Sequence, residues 1–322
     1  MSLLRRWTAW VDLLERRESA TTLALIRIAF GLIVAGHVAR QWMGTEPYYW
    51  YNLENGGLRE LTDPGTLAWF GGAVPAVVKA FSVGAVLAGL LMVVGFFSRA
   101  ATFAAWFCFS GLADLNGHAG GSYDELVKIV LFLLLLSGAG RALSFDARGA
   151  PPQMVSAWPR WLIAGQLILI YWTTALQKLS DSWVPGGELD ALWFILQQPT
   201  WASVELDPMS ILPFYPVLQL MTLSVWLWEH SAPLLLLALY YRDSRLAGGW
   251  LRSVFNRLDF RLYYLGFGVL MHLGIDLLMD VGPFSLGTVS MYLACFHPDE
   301  LEAVLQRLKE LVSRRIWSAT AA

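Results

Sequence analysis

The sequence predicts an all-α, polytopic membrane protein: a transmembrane bundle of about eight spanning helices with cytoplasmic N- and C-termini. Composition, long apolar runs and the placement of basic residues predict it. Of the 322 residues, 56% are hydrophobic and 15% are charged, whereas a soluble domain usually has about 25% charged residues. So much apolar side chain exceeds what one globular core can bury. Sixteen Trp and eleven Tyr residues fit the same fold, because their rings favour the membrane interface.

Apolar runs set the expected spans, because a helix needs roughly 20 mostly apolar residues to cross a bilayer. Eight segments approach this length. They are 20–39, 75–97, 99–115, 123–141, 158–179, 216–240, 261–279 and 282–297. We therefore divide the chain into an amphipathic cytoplasmic segment at 1–19, a transmembrane domain at 20–297 and an amphipathic cytoplasmic tail at 298–322. The long 180–215 loop is expected to pack on the outer surface, with a short interfacial helix at 187–198.

Basic residues give an independent test of this topology. The outer loops hold only Arg40 and Arg59. Lys and Arg are concentrated in the expected inner segments 1–19, 98–99, 140–160, 241–261 and 298–322. This bias follows the positive-inside rule and favours a multi-pass protein of a bacterial-type cytoplasmic membrane. The net charge of −2 argues against a nucleic-acid partner.

Charged residues inside the spans are functional candidates, because burying charge in lipid is costly. The set comprises Arg27, Lys79, Lys128, Lys178, Glu229 and Asp276, and His272 joins it. The three lysines fall in the expected outer half of the bilayer, where a shared pocket would attract a carboxylate or another anion. In the alternative interpretation, each lysine extends singly to the outer headgroups.

Two pairings are predicted among these residues. Arg27 and Glu229 lie at comparable depth, so we expect a structural ion pair. His272 and Asp276 are spaced i, i+4 on one helix face, so the carboxylate could orient the imidazole; a purely structural histidine is the competing interpretation. Metal ligands are too sparse and scattered to predict a metal site.

Several stretches carry a resemblance to one family. They are Leu23-Ala-Leu-Ile-Arg-Ile-Ala-Phe-Gly31, Gly140-Arg-Ala-Leu-Ser-Phe-Asp146, Tyr171-Trp-Thr-Thr-Ala-Leu-Gln-Lys-Leu179 with Trp183 and Gly186, Glu229 with Pro233, and His272 with Phe284-Ser-Leu-Gly287. Together they span about residues 20–297. They resemble the membrane domain shared by vitamin K-dependent gamma-carboxylase and its bacterial relatives, called the HTTM domain.

The resemblance implies a chemistry for two residues. Lys178 matches the carboxylase's catalytic lysine, which acts as a base toward vitamin K hydroquinone, and His272 would support it. Vitamin K hydroquinone, or another membrane quinol, would be the cofactor. In that chemistry, oxygen drives epoxidation, the resulting base removes a proton from the gamma carbon of a glutamate, and carbon dioxide adds there. An exported peptide would be the substrate.

One departure from the family keeps alternatives open. The carboxylase has an essential histidine at the start of the helix that corresponds to 123–141, where this chain has Tyr123-Asp-Glu-Leu. Either His118 or Asp124 substitutes for it, or the activity is absent. The alternative function is a non-catalytic membrane partner for export, maturation or immunity of a secreted peptide. A quinone binder without catalysis also fits, whereas a transporter is disfavoured because no inverted repeat is present.

Overall fold

The computed structural model describes residues 3–44, 65–115, 121–151, 153–199, 202–203 and 206–320. Within these ranges the structure is all-α apart from one pair of three-residue strands. It divides into two compact units, which we call unit 1 (residues 1–163 and 293–322) and unit 2 (residues 164–292).

The elements follow one another in this order: α1 Leu3–Glu15, β1 Arg17–Ser19, α2 Thr21–Gly44, α3 Pro75–Val94, α4 Ser98–Ala113, α5 Ser122–Leu136, β2 Met154–Ser156, α6 Trp158–Gln177, α7 Ala191–Ile195, α8 Pro208–Ile211, α9 Tyr215–His230, α10 Ala232–Asp243, α11 Trp250–Leu258, α12 Phe260–Leu278, α13 Phe284–Met291 and α14 Pro298–Thr320. Each predicted span therefore contains at least one helix.

Among the residues that the structure describes, three segments are long and apolar enough to cross a membrane: Thr21–Gln41, Pro75–Val94 and Pro208–His230. They support the prediction of an integral membrane protein. By contrast, α4 and α5 have 16 and 15 residues. At about 1.5 Å per residue, each is shorter than the roughly 30 Å hydrocarbon core. The number of spans and the side of each terminus therefore stay predictions.

The predicted span at 216–240 is two helices rather than one. It breaks at Ser231, between α9 and α10. Pro233 explains the break, because proline lacks the N–H that would continue the helical hydrogen bonds and its ring clashes with the preceding turn.

Helices α2 and α3 of unit 1 touch at their backbones. A Cβ atom built on Gly31 would lie 2.7 Å from the carbonyl oxygen of Gly89, and one built on Gly89 would lie 2.7 Å from that of Gly31. Small residues at such crossings let membrane helices approach closely and gain packing contacts. These two glycines therefore fix how α2 lies against α3.

Arg27 of α2 is fully buried and organises the loop that follows α5. Its Nη1 donates to the carbonyl oxygen of Ala139 at 2.8 Å, and its Nη2 donates to that of Leu143 at 2.6 Å. A buried guanidinium needs such acceptors, since its desolvation is costly without them. The stretch from Gly140 to Asp146 is thus held from inside the bundle.

Asp146, in the same loop, caps α4. Its two carboxylate oxygens accept hydrogen bonds from the backbone N–H groups of Phe97 and Ser98, at 2.8 and 2.7 Å. Burial acts to raise the pKa of this carboxyl. The backbone hydrogen bonds and the positive charge of Arg27 outweigh that effect and lower the pKa below its usual value.

The two strands join the segment before α2 to the segment before α6. They are antiparallel, with Arg17 opposite Ser156. Glu18 of β1 forms a buried ion pair with Arg160, with Oε1 2.8 Å from Nε. Glu302 of α14 accepts a hydrogen bond from Thr21 at 2.6 Å. Polar contacts thus hold β1, α6 and α14 together at one end of the unit.

Unit 2 is built around aromatic side chains of α6, α9 and α12. Trp228 of α9 stacks on Tyr264 of α12, with ring centroids 4.8 Å apart, and meets Tyr171 of α6 edge-on at 4.4 Å. Its indole N–H donates to the carbonyl oxygen of Tyr264 at 2.9 Å. The short helix expected at 187–198 is α7, which packs against α9. This aromatic cluster positions the residues described next.

Candidate functional site

A buried ion pair joins the end of α6 to the end of α9. The Lys178 ammonium lies 2.5 Å from the Glu229 carboxylate, and the two side chains are only 14% and 7% exposed. Helix α6 ends at Gln177, so Lys178 is the first residue beyond it, while Glu229 lies in the last turn of α9. Two helix ends therefore bring opposite charges together in an apolar unit.

Trp183 covers the ammonium of Lys178. After α6 the chain turns back, and the N–H of Trp183 donates to the carbonyl oxygen of Ser180 at 2.8 Å. This turn places the indole ring 4.4 Å from the Lys178 nitrogen. A cation over an aromatic face is attracted by the ring quadrupole. Lys178 is thus held by a carboxylate and by an aromatic ring.

A second buried polar group lies deeper along α6. The Tyr171 hydroxyl is within hydrogen-bonding distance of His272 Nε2, at 2.9 Å, and of the Tyr292 hydroxyl, at 2.7 Å. All three side chains are at least 96% buried. Tyr171 therefore links α12 to the segment that follows α13 through a continuous chain of hydrogen bonds.

Lys178 and His272 belong to neighbouring parts of this arrangement and do not share a hydrogen bond. Tyr171, the partner of His272, precedes Lys178 by seven residues, which is about two helical turns or 10 Å along the helix axis. The ring of Trp228 packs against Tyr171, and the next residue, Glu229, holds Lys178. The predicted support of Lys178 by His272 would have to act through these residues.

The structure gives each residue of the predicted pair of Arg27 with Glu229 other partners, within its own unit. Glu229 bonds to Lys178, and Arg27 bonds to backbone carbonyl oxygens such as that of Ala139. Comparable depth in the bilayer did not identify partners, because the rotation of each helix decides which side chains face one another.

Asp276 does not orient His272. The imidazole bonds through Nε2 to Tyr171, while its Nδ1 is buried and has no hydrogen-bond partner among the described residues. Asp276 itself is exposed. Four residues on one helix face bring two Cβ atoms near each other, but these two side chains point to different environments.

The other two candidate lysines belong to unit 1. Lys128 lies 3.0 Å from the carboxylate of Asp114 and 2.6 Å from that of Glu125. Lys79 is exposed on the first turns of α3. Since Lys128 and Lys178 already have carboxylate partners, their charges are largely neutralised. Two of the three lysines that were expected to attract an anion are therefore already paired with carboxylates.

Asp124 has a local role at the start of α5. Its Oδ2 accepts a hydrogen bond from the N–H of Gly121 at 2.9 Å. This is the arrangement of a helix cap, which satisfies an N–H group at the helix start. His118, the other candidate to replace the carboxylase histidine, lies outside the described residues.

The sequence argument missed Tyr171, which bonds with His272, and Tyr292, which bonds with Tyr171. A signal for Tyr171 was available, because seven residues before Lys178 is the same face of α6. Tyr292 carried no signal, since it lies beyond α13 in a short 3-10 segment. Among the described residues, no group of three His, Cys, Asp or Glu side chains could hold a metal ion.

Comparison with known proteins gives one match. The family model described as HTTM domain matches residues 15–278. The chain matches no curated protein and no solved structure. The matched range includes both Lys178 and Glu229, and it confirms the resemblance that the motifs carried.

Proposed function

The chain belongs to the HTTM domain family, and on that premise we propose that it is a quinol-dependent membrane enzyme with Lys178 as its base. The observation that carries the proposal is the buried contact of 2.5 Å between Lys178 and Glu229. A base needs a site that can both hold and release a proton near ambient pH. An amine and a carboxylate in direct contact, away from water, form such a site.

The proton can move within the pair. Burial disfavours both the ammonium and the carboxylate, so the neutral amine with a neutral carboxylic acid becomes accessible at low energy. In that form the proton is on Glu229, and the free electron pair of Lys178 Nζ can accept a proton from a bound hydroxyl group. Glu229 is therefore a positioning residue that stores the proton which Lys178 gives up.

The surroundings fit a lipid-borne aromatic molecule. Trp183 offers an aromatic wall beside the ammonium, while Leu176 and Leu179 are 49% and 77% exposed on the neighbouring surface. A quinol that approaches through lipid would meet apolar side chains before it reaches the amine. When bound, such a quinol would supply, with dioxygen, the strong base that the family chemistry requires.

The proposed substrate is a glutamate-bearing exported peptide, as in the carboxylase that the motifs resemble. The competing function, a non-catalytic partner that holds an acidic peptide segment, depends on free positive charge. The carboxylates beside Lys128 and Lys178 remove much of that charge. We therefore favour the enzyme.

The first experiment uses the full chain in lipid nanodiscs with vitamin K hydroquinone and dioxygen, and detects the epoxide by mass spectrometry. Lys178→Arg is the decisive variant, because arginine keeps the cation beside Glu229 but does not give up its proton near neutral pH. Loss of a general base typically costs 10²–10⁴-fold, so we expect epoxide formation to fall at least about 100-fold in Lys178→Arg and Glu229→Gln.

Lys309→Ala, on the exposed face of α14, is the matched control and should keep full activity. Isotopically labelled bicarbonate and a glutamate-rich synthetic peptide then test for carboxylation in the same nanodiscs. Epoxide made equally well by Lys178→Arg would exclude Lys178 as the base. No epoxide from the native chain would overturn the quinol-dependent function.

A further inference from the structure

Four arginines of unit 1 line one cavity of about 380 Å³. They come from distant parts of the chain: Arg17 from β1, Arg27 from α2, Arg99 from α4 and Arg141 from the loop after α5. We call this the arginine cavity. Four guanidinium groups around one space repel one another. Such an arrangement is therefore typical of a site where an anion binds and balances the positive charge.

One acidic side chain, Asp146, also lines the arginine cavity. Its two oxygens accept hydrogen bonds from the N–H groups of Phe97 and Ser98, so Asp146 caps the start of α4. The lining of the cavity therefore carries a formal surplus of three positive charges. The capping carboxylate does not neutralise the four arginines.

The arginines divide into a buried floor and an exposed rim. Arg27 is fully buried, and its Nε has no hydrogen-bond partner among the described residues although both terminal nitrogens bond to carbonyl oxygens. The other three arginines are exposed. The floor supplies a buried charge, and the rim supplies exposed guanidinium groups that a ligand can reach.

Local structure holds two of the rim arginines in place. Arg17 donates to the carbonyl oxygen of Met154 at 2.7 Å, and Arg141 donates to the same oxygen at 3.3 Å. The β1–β2 pairing fixes this geometry, since it sets Arg17 opposite Ser156. The arrangement is therefore built into the fold of unit 1 and does not depend on the position of unit 2.

We propose that the arginine cavity binds a phosphate-bearing anion. Guanidinium groups match the oxygens of phosphate with paired N–H donors. A phosphate monoester carries up to two negative charges and three acceptor oxygens, which suits a surplus of three positive charges better than a single carboxylate does. The volume is within the range of about 300–1,000 Å³ typical of small-ligand sites, so the group attached to the phosphate is also accommodated.

The same chemistry could come from an anionic lipid headgroup or from a soluble phosphate ester. The segments 98–99 and 140–160, which contribute to the cavity, are predicted to face the cytoplasm, where anionic lipids are abundant. The cavity has no lining residue in common with the Lys178–Glu229 pair, and the proposal does not rest on the proposed quinol chemistry. Its test needs no enzyme activity.

The test uses the full chain in neutral detergent with three probes. Retention of phosphatidylglycerol and of phosphatidylcholine is compared by native mass spectrometry, and glycerol 3-phosphate is compared with glycerol by thermal shift. The variant is the double substitution Arg99→Gln and Arg141→Gln, which removes two exposed rim arginines. The control is Arg148→Gln with Arg307→Gln, which makes the same change in net charge at exposed positions outside the cavity lining.

We expect the native chain to bind phosphatidylglycerol or glycerol 3-phosphate, and the rim variant to bind it at least tenfold more weakly while the control is unchanged. Preference for phosphatidylglycerol identifies a lipid headgroup as the ligand, whereas saturable binding of glycerol 3-phosphate identifies a soluble ester. Equal weakening in rim variant and control would mean nonspecific attraction and would overturn the proposal. Absence of binding of both anions to the native chain would overturn it as well.

Discussion

The contact between Lys178 and Glu229 makes a quantitative prediction about stability. We consider Lys178→Met, Glu229→Met and the double variant, which replace each charged side chain by an unbranched apolar one. At 2.5 Å and an effective dielectric constant of about 20, the attraction of two unit charges is about 7 kcal/mol before desolvation is subtracted. Desolvation offsets much of it, so the net worth of the pair is small.

Removing one partner is different from removing both. Each single variant leaves one charge buried without its partner, which costs about 3 kcal/mol in the free energy of unfolding. The value is near the lower end for such pairs because the Lys178 side chain still contacts the ring of Trp183 and is 14% exposed to solvent. The double variant leaves no buried charge, so we expect little or no loss of stability and a coupling energy of about 6 kcal/mol, the sum of the two single losses.

The assay is unfolding by sodium dodecyl sulfate in mixed micelles, followed by tryptophan fluorescence and far-ultraviolet circular dichroism. Trp228, next to Glu229 in the aromatic cluster, reports on this region. Lys309→Met, at an exposed position, is the matched control and should change stability by less than about 0.5 kcal/mol. Single variants that lose less than about 1 kcal/mol, with losses that add in the double variant, would refute the buried pair. The double variant should also be stable yet inactive in the epoxide assay.

Two further perturbations test unit 1 in the same unfolding assay. Gly31→Ala places a methyl group 2.7 Å from a backbone oxygen, so we expect the free energy of unfolding to fall by about 2 kcal/mol. Gly36→Ala, whose methyl group would have nothing within 4 Å, should raise it by up to about 1 kcal/mol. Equal effects of the two substitutions would argue against the close crossing of α2 and α3. Asp146→Asn tests pH dependence. The pKa of this carboxyl is lowered in the folded chain, so the contribution of Asp146 to stability is complete above the unfolded pKa of about 3.9. That contribution is lost as the pH falls through the folded pKa. Since Asp146 is exposed, we expect native chain and variant to differ by about 0.5–1 kcal/mol at neutral pH, and to converge in acid; a difference that grows in acid would contradict this.

The same arginine that the family motif carries has a clear physical role in unit 1. Arg27 satisfies two carbonyl oxygens of the loop after α5 and lines the arginine cavity. It thus fixes the loop whose Asp146 caps α4. Arg27 can have both a structural and a ligand-binding role. Once its terminal nitrogens have bonded to the carbonyl oxygens, its Nε–H and its positive charge are still available to a ligand.

The sequence by itself determined the kind of protein and its unusual residues. Apolar runs of about 20 residues are needed in lipid whatever the tertiary arrangement, so the all-α class and the helix positions followed from composition. Buried charge is costly wherever it occurs, so Arg27, Lys178 and Glu229 stood out without a structure. Several short motifs together, of which the one around Lys178 is the most specific, identified the family, and the match over 15–278 confirms it.

Only the tertiary structure decided which of these residues meet. The sequence gives the depth of a residue along its helix, but the rotation of that helix about its axis is set by packing, as at Gly31 and Gly89. For this reason the sequence did not reveal that Glu229 bonds to Lys178. The arginine cavity is the extreme case, because its four arginines are spread over more than 120 positions and converge only when β1 pairs with β2 and the loop after α5 folds over α2.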